Sequence, residues 1–95
     1  MDSSVLKVHI DDNLIVALQD LSEGEVVALD GHTFKLKTSV PAKHKFSAVN
    51  LEPGDALIMY GVLIGKAKRS ISRGEVVTID NVKHATQRFE LAEKD

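Results

Sequence analysis

Two short stretches of this chain carry side chains suited to binding anions, protons or metals. His9 is followed by Asp11, Asp12 and Asn13, so an imidazole and two carboxylates fall within four positions. Hard divalent ions favour oxygen ligands and imidazole suits iron, manganese or zinc. His9 is therefore a candidate contact to a metal or a substrate, weighed against a histidine that caps a turn. Further on, His44 stands between Lys43 and Lys45, in a segment that Pro41 keeps out of regular helix. An imidazole between two cations attracts anions such as a carboxylate; the alternative is an exposed basic loop before a strand. His32 follows Asp30-Gly31 directly and reads as a hairpin-end residue. Tyr60 reads as a buried ring with one hydrogen bond. The chain has no cysteine, which excludes thiolate ligands, cysteine nucleophiles and disulfides together. No Gly-rich phosphate loop, serine–histidine constellation or paired zinc spacing occurs.

Charge is unevenly spread. Residues 1–34 hold seven acids against Lys7 alone, although the net formal charge is only -2. Residues 35–73 hold eight bases (Lys35, Lys37, Lys43, Lys45, Lys66, Lys68, Arg69, Arg73) against Glu52 and Asp55. Such a segment suits an anionic ligand or an acidic partner surface, with a solvated lysine face as the plain alternative.

The elements that must position these groups are short. Ninety-five residues fit one domain, with a core over 5–82 and a polar tail or short helix over 83–95. Apolar residues make up 43% of the chain but aromatics 4%, so the core comes from Val, Leu, Ile and Ala. No apolar run approaches the roughly 20 residues needed to cross a bilayer, and no leader is evident; a cytoplasmic protein is expected. One pattern occurs three times: Asp20-Leu21-Ser22-Glu23-Gly24-Glu25-Val26-Val27, Asn50-Leu51-Glu52-Pro53-Gly54-Asp55-Ala56-Leu57 and Ser70-Ile71-Ser72-Arg73-Gly74-Glu75-Val76-Val77. A glycine at the fourth turn position supplies the positive φ that reverses the chain before a strand. Strands are expected over 13–18, 33–37 and 76–79, with a hairpin at Asp30-Gly31 and a tight reversal or bulge around Gly61.

Four segments taken in order resemble the SAF-type β-clip domain at the N-terminus of altronate and galactarate dehydratases. They are His9-Ile10-Asp11-Asp12-Asn13-Leu14-Ile15-Val16-Ala17-Leu18, Val40-Pro41-Ala42-Lys43-His44-Lys45-Phe46, Tyr60-Gly61-Val62-Leu63-Ile64-Gly65 and the glycine turns, spanning roughly residues 5 to 82. His84 lies outside it. Two positions depart from the family: Lys43 stands where glycine is usual, and Asp80 where histidine is usual, so no role passes to Asp80.

The resemblance implies an all-β fold with at most one or two short helices. It also implies a small subunit of a sugar-acid dehydratase, a carbon–oxygen lyase, with the long catalytic region on a separate large subunit. His44, Lys45 and His9 become the substrate-binding candidates, and His9 a candidate metal contact. A divalent metal, iron or manganese, would be held mostly by the large subunit, and the catalytic groups stay unassigned. The small subunit of sulfolactate sulfo-lyase looks similar, and self-association stays open. A non-catalytic carbohydrate-binding or interaction module is the competing class. Nucleic-acid binding is weaker, because Tyr60, Phe34, Phe46 and Phe89 offer little stacking surface.

Overall fold

The computed structural model describes residues 4–78 and 80–84. Short β-branched runs punctuated by turn residues give strands and, among the described residues, no helix. In chain order they are β1 (Val5–Leu6), β2 (Leu14–Ala17), β3 (Val26–Leu29), β4 (His32–Lys35), β5 (Lys45–Ser47), β6 (Ala56–Met59), β7 (Val62–Ala67), β8 (Val76–Val77) and β9 (Val82–His84). A central antiparallel sheet runs β1-β2-β5-β8, flanked by the β3-β4 hairpin and by a three-stranded sheet β6-β7-β9.

The run Leu14-Ile15-Val16-Ala17 is apolar at every position because the central sheet is covered on both faces. Side chains alternate across a strand. Ile15, Ala17, Val5 and Phe46 join Val27, Phe34 and Leu36 of the hairpin side in one core. Leu14 and Val77 join Leu57, Met59, Ala67, Ile71 and Val82 in the other. Phe34 meets Phe46 edge to face at 5.8 Å between ring centroids, so two of the few aromatics join hairpin to sheet.

The repeated octets form three equivalent turns. The N–H of Glu25, Asp55 and Glu75 donates to the carbonyl of Ser22, Glu52 and Ser72 at 3.0, 2.9 and 2.9 Å. The same acids accept the N–H of those first residues on their carboxylates, at 2.9, 2.8 and 2.9 Å. Glycine occupies the third turn position, not the fourth, with φ of 86°, 91° and 89° at Gly24, Gly54 and Gly74, the geometry of a type II turn. Each glycine N–H then donates to a strand carbonyl, of Leu36, Ala67 and Ser47, all at 2.8 Å. Acid and glycine thus fix both the turn and the strand it docks on.

Other expectations are adjusted. Strand β4 begins one residue early and stops at Lys35; the Leu36 N–H still bonds the Glu25 carbonyl in register, but the Lys37 N–H turns to the Gly74 carbonyl. Around Gly61 there is both a tight reversal and a bulge, the register shifting between Leu57 and Ile58. Tyr60 is not buried: it is 63% exposed at the tip of the β6-β7 hairpin, with φ 58°. Lys83 and His84, expected to open a helix or tail, complete β9; the rest of that segment and the expected strand position Ile79 lie outside the described residues. Strand β5 takes the place of the strand of no stated bounds expected after the basic loop. It follows a turn in which the His44 N–H donates to the Pro41 carbonyl at 3.0 Å and Lys43 takes φ 73°, which explains why glycine suits position 43.

Two stability outcomes follow. A Cβ at Gly74 would lie 2.4 Å from the Lys35 carbonyl oxygen, whereas at Gly24 and Gly54 it would meet nothing within 4 Å. In urea titrations Gly74→Ala should cost more than about 3 kcal/mol, and Gly24→Ala and Gly54→Ala about 1–2 kcal/mol each from backbone strain alone. Lys43→Gly should stabilise the fold by about 1 kcal/mol by relieving a left-handed lysine.

Candidate functional site

The turn His9-Ile10-Asp11-Asp12 uses the same closure as the glycine turns. The Asp12 N–H donates to the His9 carbonyl at 3.0 Å, and the His9 N–H returns to Asp12 Oδ2 at 3.0 Å. Here the acid is buried, 4% exposed, and its second oxygen has a second partner. The Gly61 N–H donates to Asp12 Oδ1 at 2.8 Å, and the Tyr60 N–H is bonded to the same carboxylate. Burial pushes the Asp12 carboxyl pKa up, but these N–H donors and the adjacent His9 together hold it below its ordinary 3.8.

His9 closes over this lock. Its Nδ1 accepts the Asp11 N–H at 3.1 Å and lies 3.8 Å from Asp11 Oδ2. The ring covers Gly61 so closely that a Cβ there would fall 3.0 Å from it. Asn13 completes the junction: its Nδ2 donates to the Ala56 carbonyl at 2.9 Å and its Oδ1 accepts the Ile58 N–H at 2.8 Å, beside the register shift at Leu57 and Ile58. His9 is thus the turn-capping residue of the plainer reading, its Nδ1 taken up as an acceptor and its Nε2 left as an N–H donor. Among the described residues no group of three His, Asp or Glu side chains could hold a metal ion. The residues present do not by themselves fit a divalent metal at His9.

The other candidates stand elsewhere. His44 is exposed and its carbonyl accepts the Ala17 N–H at 2.8 Å. Lys45 is half-buried in β5, opposite Val16 of β2 and Val77 of β8. Asp12 and Asn13 adjoin the Leu14 end of β2, whereas His44 pairs at its Ala17 end, about 10 Å along the strand. The structure therefore keeps His9 apart from the His44-Lys45 pair.

Asp12 and Asn13 also form part of a groove of about 240 Å³ lined by Lys7, His32, Phe34 and Arg73. Arg73 is held in place: its guanidinium carbon lies 4.3 Å from the Phe34 ring centroid, its Nη2 donates to the Thr33 carbonyl at 2.9 Å, and its backbone N–H donates to Asn50 Oδ1 at 2.8 Å. Lys7 was not singled out from sequence, His32 only as a hairpin-end residue, and Arg73 only as one of eight clustered bases. The one available signal was Arg73 itself, which fills a turn position taken by Glu23 and Pro53 in the other two copies.

The fold and these junctions define a small all-β domain built on turns closed by side chains. The chain belongs to the altronate/galactarate dehydratase SAF domain family, whose model matches residues 3–85 and so takes in His84, which the sequence comparison had left outside. It is 32% identical over 80 residues to the altronate dehydratase of Bacillus subtilis (strain 168), covering 84% of this chain and 16% of that protein. It is 38% identical over 78 residues to the altronate dehydratase of Escherichia coli (strain K12), covering 82% of this chain and 16% of that protein. It is also 38% identical over 50 residues to the (2R)-sulfolactate sulfo-lyase subunit alpha of Chromohalobacter salexigens, covering 53% of each. The chain thus spans about a sixth of the dehydratases it matches. No helix among the described residues is long and apolar enough to cross a membrane.

Asp12→Ala would leave part-buried N–H groups at the His9 and Gly61 turns without their acceptor and should cost about 1–3 kcal/mol in urea unfolding. The folded-state pKa lies below 3.8, so the ionised carboxylate stabilises the fold above about pH 4. That contribution is lost as pH falls through the lowered folded-state value. The stability difference between the parent chain and Asp12→Asn should therefore shrink between about pH 5 and pH 2; a constant difference would contradict the assignment.

Proposed function

We propose that this chain is the small subunit of a sugar-acid dehydratase of the altronate/galactarate type, contributing substrate binding and assembly with a separate large catalytic subunit. The observation that carries the reading is the family match over residues 3–85, supported by two relatives named altronate dehydratase and one named as a lyase subunit. Dehydration removes the proton α to a carboxylate and expels a β-hydroxyl, which calls for a base, an acid and a stabiliser of the enediolate. These are assigned to the large subunit, together with the iron or manganese expected for such chemistry. The small subunit supplies cationic and imidazole contacts to the acidic substrate. His44 and Lys45 serve one contact and His9 another, since they lie at opposite ends of β2.

A second reading, the small subunit of a sulfolactate sulfo-lyase, is favoured by the relative that is itself named as a subunit and matches over half its length. Both substrates are small acids, so a cationic contact suits either.

Mixing the purified small and large chains should give turnover that neither shows alone, measured as loss of altronate or galactarate, or as sulfite release from sulfolactate. In the assembled enzyme His44→Ala and Lys45→Ala should raise KM by about fivefold or more, as expected for a lost charge-assisted contact. Unaided turnover by the small chain would overturn the division of roles.

A further inference from the structure

The groove beside Asp12 gathers cations that no other part of the described surface accounts for. Lys7 follows β1, His32 opens β4 and Arg73 occupies the third glycine turn, so the fold brings together residues far apart in sequence. The ion pairs among the described residues are His9 with Asp11 and Arg69 with Glu75, which leaves Lys7, His32 and Arg73 without a carboxylate within 4.0 Å. The one acid in the groove, Asp12, is already committed to backbone N–H groups at His9 and Gly61, and both ends of the Asn13 amide are committed to β6. Asp12 keeps its negative charge in the groove, but its oxygens are turned to those N–H groups, so neither Lys7 nor Arg73 has a direct ion-pair partner there. The larger groove, about 610 Å³ at the first glycine turn, sets Glu23 beside Lys35 and Lys37 and presents no single sign of charge.

Arg73 gives the smaller groove its directionality. Stacking on Phe34 and the bond to the Thr33 carbonyl fix the guanidinium plane. A guanidinium has five N–H donors, so the fork retains donors after that bond and pays less rotamer entropy on meeting a planar oxyanion.

We propose that this groove is the seat of the substrate's acidic head group, a carboxylate or sulfonate held by Arg73 and Lys7 with His32 at its edge. The proposal rests on the acid-substrate reading above and moves the principal anion contact from the His44-Lys45 pair to a part of the fold about one strand length away.

The test is a heteronuclear NMR titration of the full chain with galactarate and with (2R)-sulfolactate, using galactitol as the neutral control. Backbone amides of Lys7, His32 and Arg73 should shift with either acid and stay still with galactitol. Arg73→Gln and Lys7→Gln should each weaken binding by about fivefold to tenfold, while Lys66→Gln, on exposed β7, should leave it unchanged. The tighter of the two acids identifies the preferred head group. Because Arg73 also packs on Phe34, Lys7→Gln serves as the variant that leaves that packing intact. Shifts and affinity loss centred on His44 and Lys45 would overturn the groove while sustaining the acid-substrate reading. Absence of acid binding to the chain would overturn the groove as well, and the mixing of small and large chains would then decide the wider reading independently.

Discussion

The constraint on which this fold rests is the supply of acceptors for backbone N–H groups in a chain whose strands are two to six residues long. Such short ladders leave much of the backbone outside regular pairing, and buried N–H groups need partners. The chain answers with one device: a side-chain oxygen three residues on accepts the N–H that opens the turn. Glu25, Asp55, Glu75 and Asp12 do this with carboxylates, and Asn81 does it for Thr78 with an amide, at 2.8 Å. Among the described residues no buried side-chain polar atom lacks a partner. A core of aliphatic side chains then only has to cover the two faces of one sheet.

The device also explains the separation of tasks among the acids. Three of them close exposed or half-buried turns, and of these Glu75 also lies 3.5 Å from Arg69. Asp12 differs by burial, which turns a local cap into a bridge between two parts of the chain. An acid placed there for structural reasons has both oxygens engaged by backbone N–H groups, so the His9-Asp11-Asp12 triplet, suggestive as composition, is occupied by folding.

Much of the architecture was legible in residue order. Apolar β-branched runs marked β2, β6 and β7; the glycine-acid pairs marked where strands start; Asp30-Gly31 marked a hairpin. What was illegible has a common cause, which is contact over long sequence separation. The segment at His44 read as a basic loop before a strand of no stated bounds, and it is the pairing of Phe46 with Ile15 that places β5. Tyr60 looked buried because its neighbours are apolar, yet the two-residue turn turns it outward. The cationic groove joins positions 7, 32 and 73, and no local pattern announces that they meet. His44 and Lys45 were conspicuous because they are adjacent in sequence; adjacency along a strand places neighbouring side chains on opposite faces.

The close approach of Gly74 to Lys35 bears on the order in which the molecule can assemble. The Lys37 N–H donates to the Gly74 carbonyl, and Ser47 exchanges bonds with Gly74 and Glu75. The β3-β4 hairpin and β5 therefore share a single late-arriving clasp. Local turns can form as soon as their own residues are free, and the first core draws its fully buried residues from Val5 to Phe46. Residues 74–77 add the partly buried Val76 and the last strand of the central sheet. That clasp closes over a long sequence separation, the kind of contact whose loop entropy bears on folding rate more than on stability.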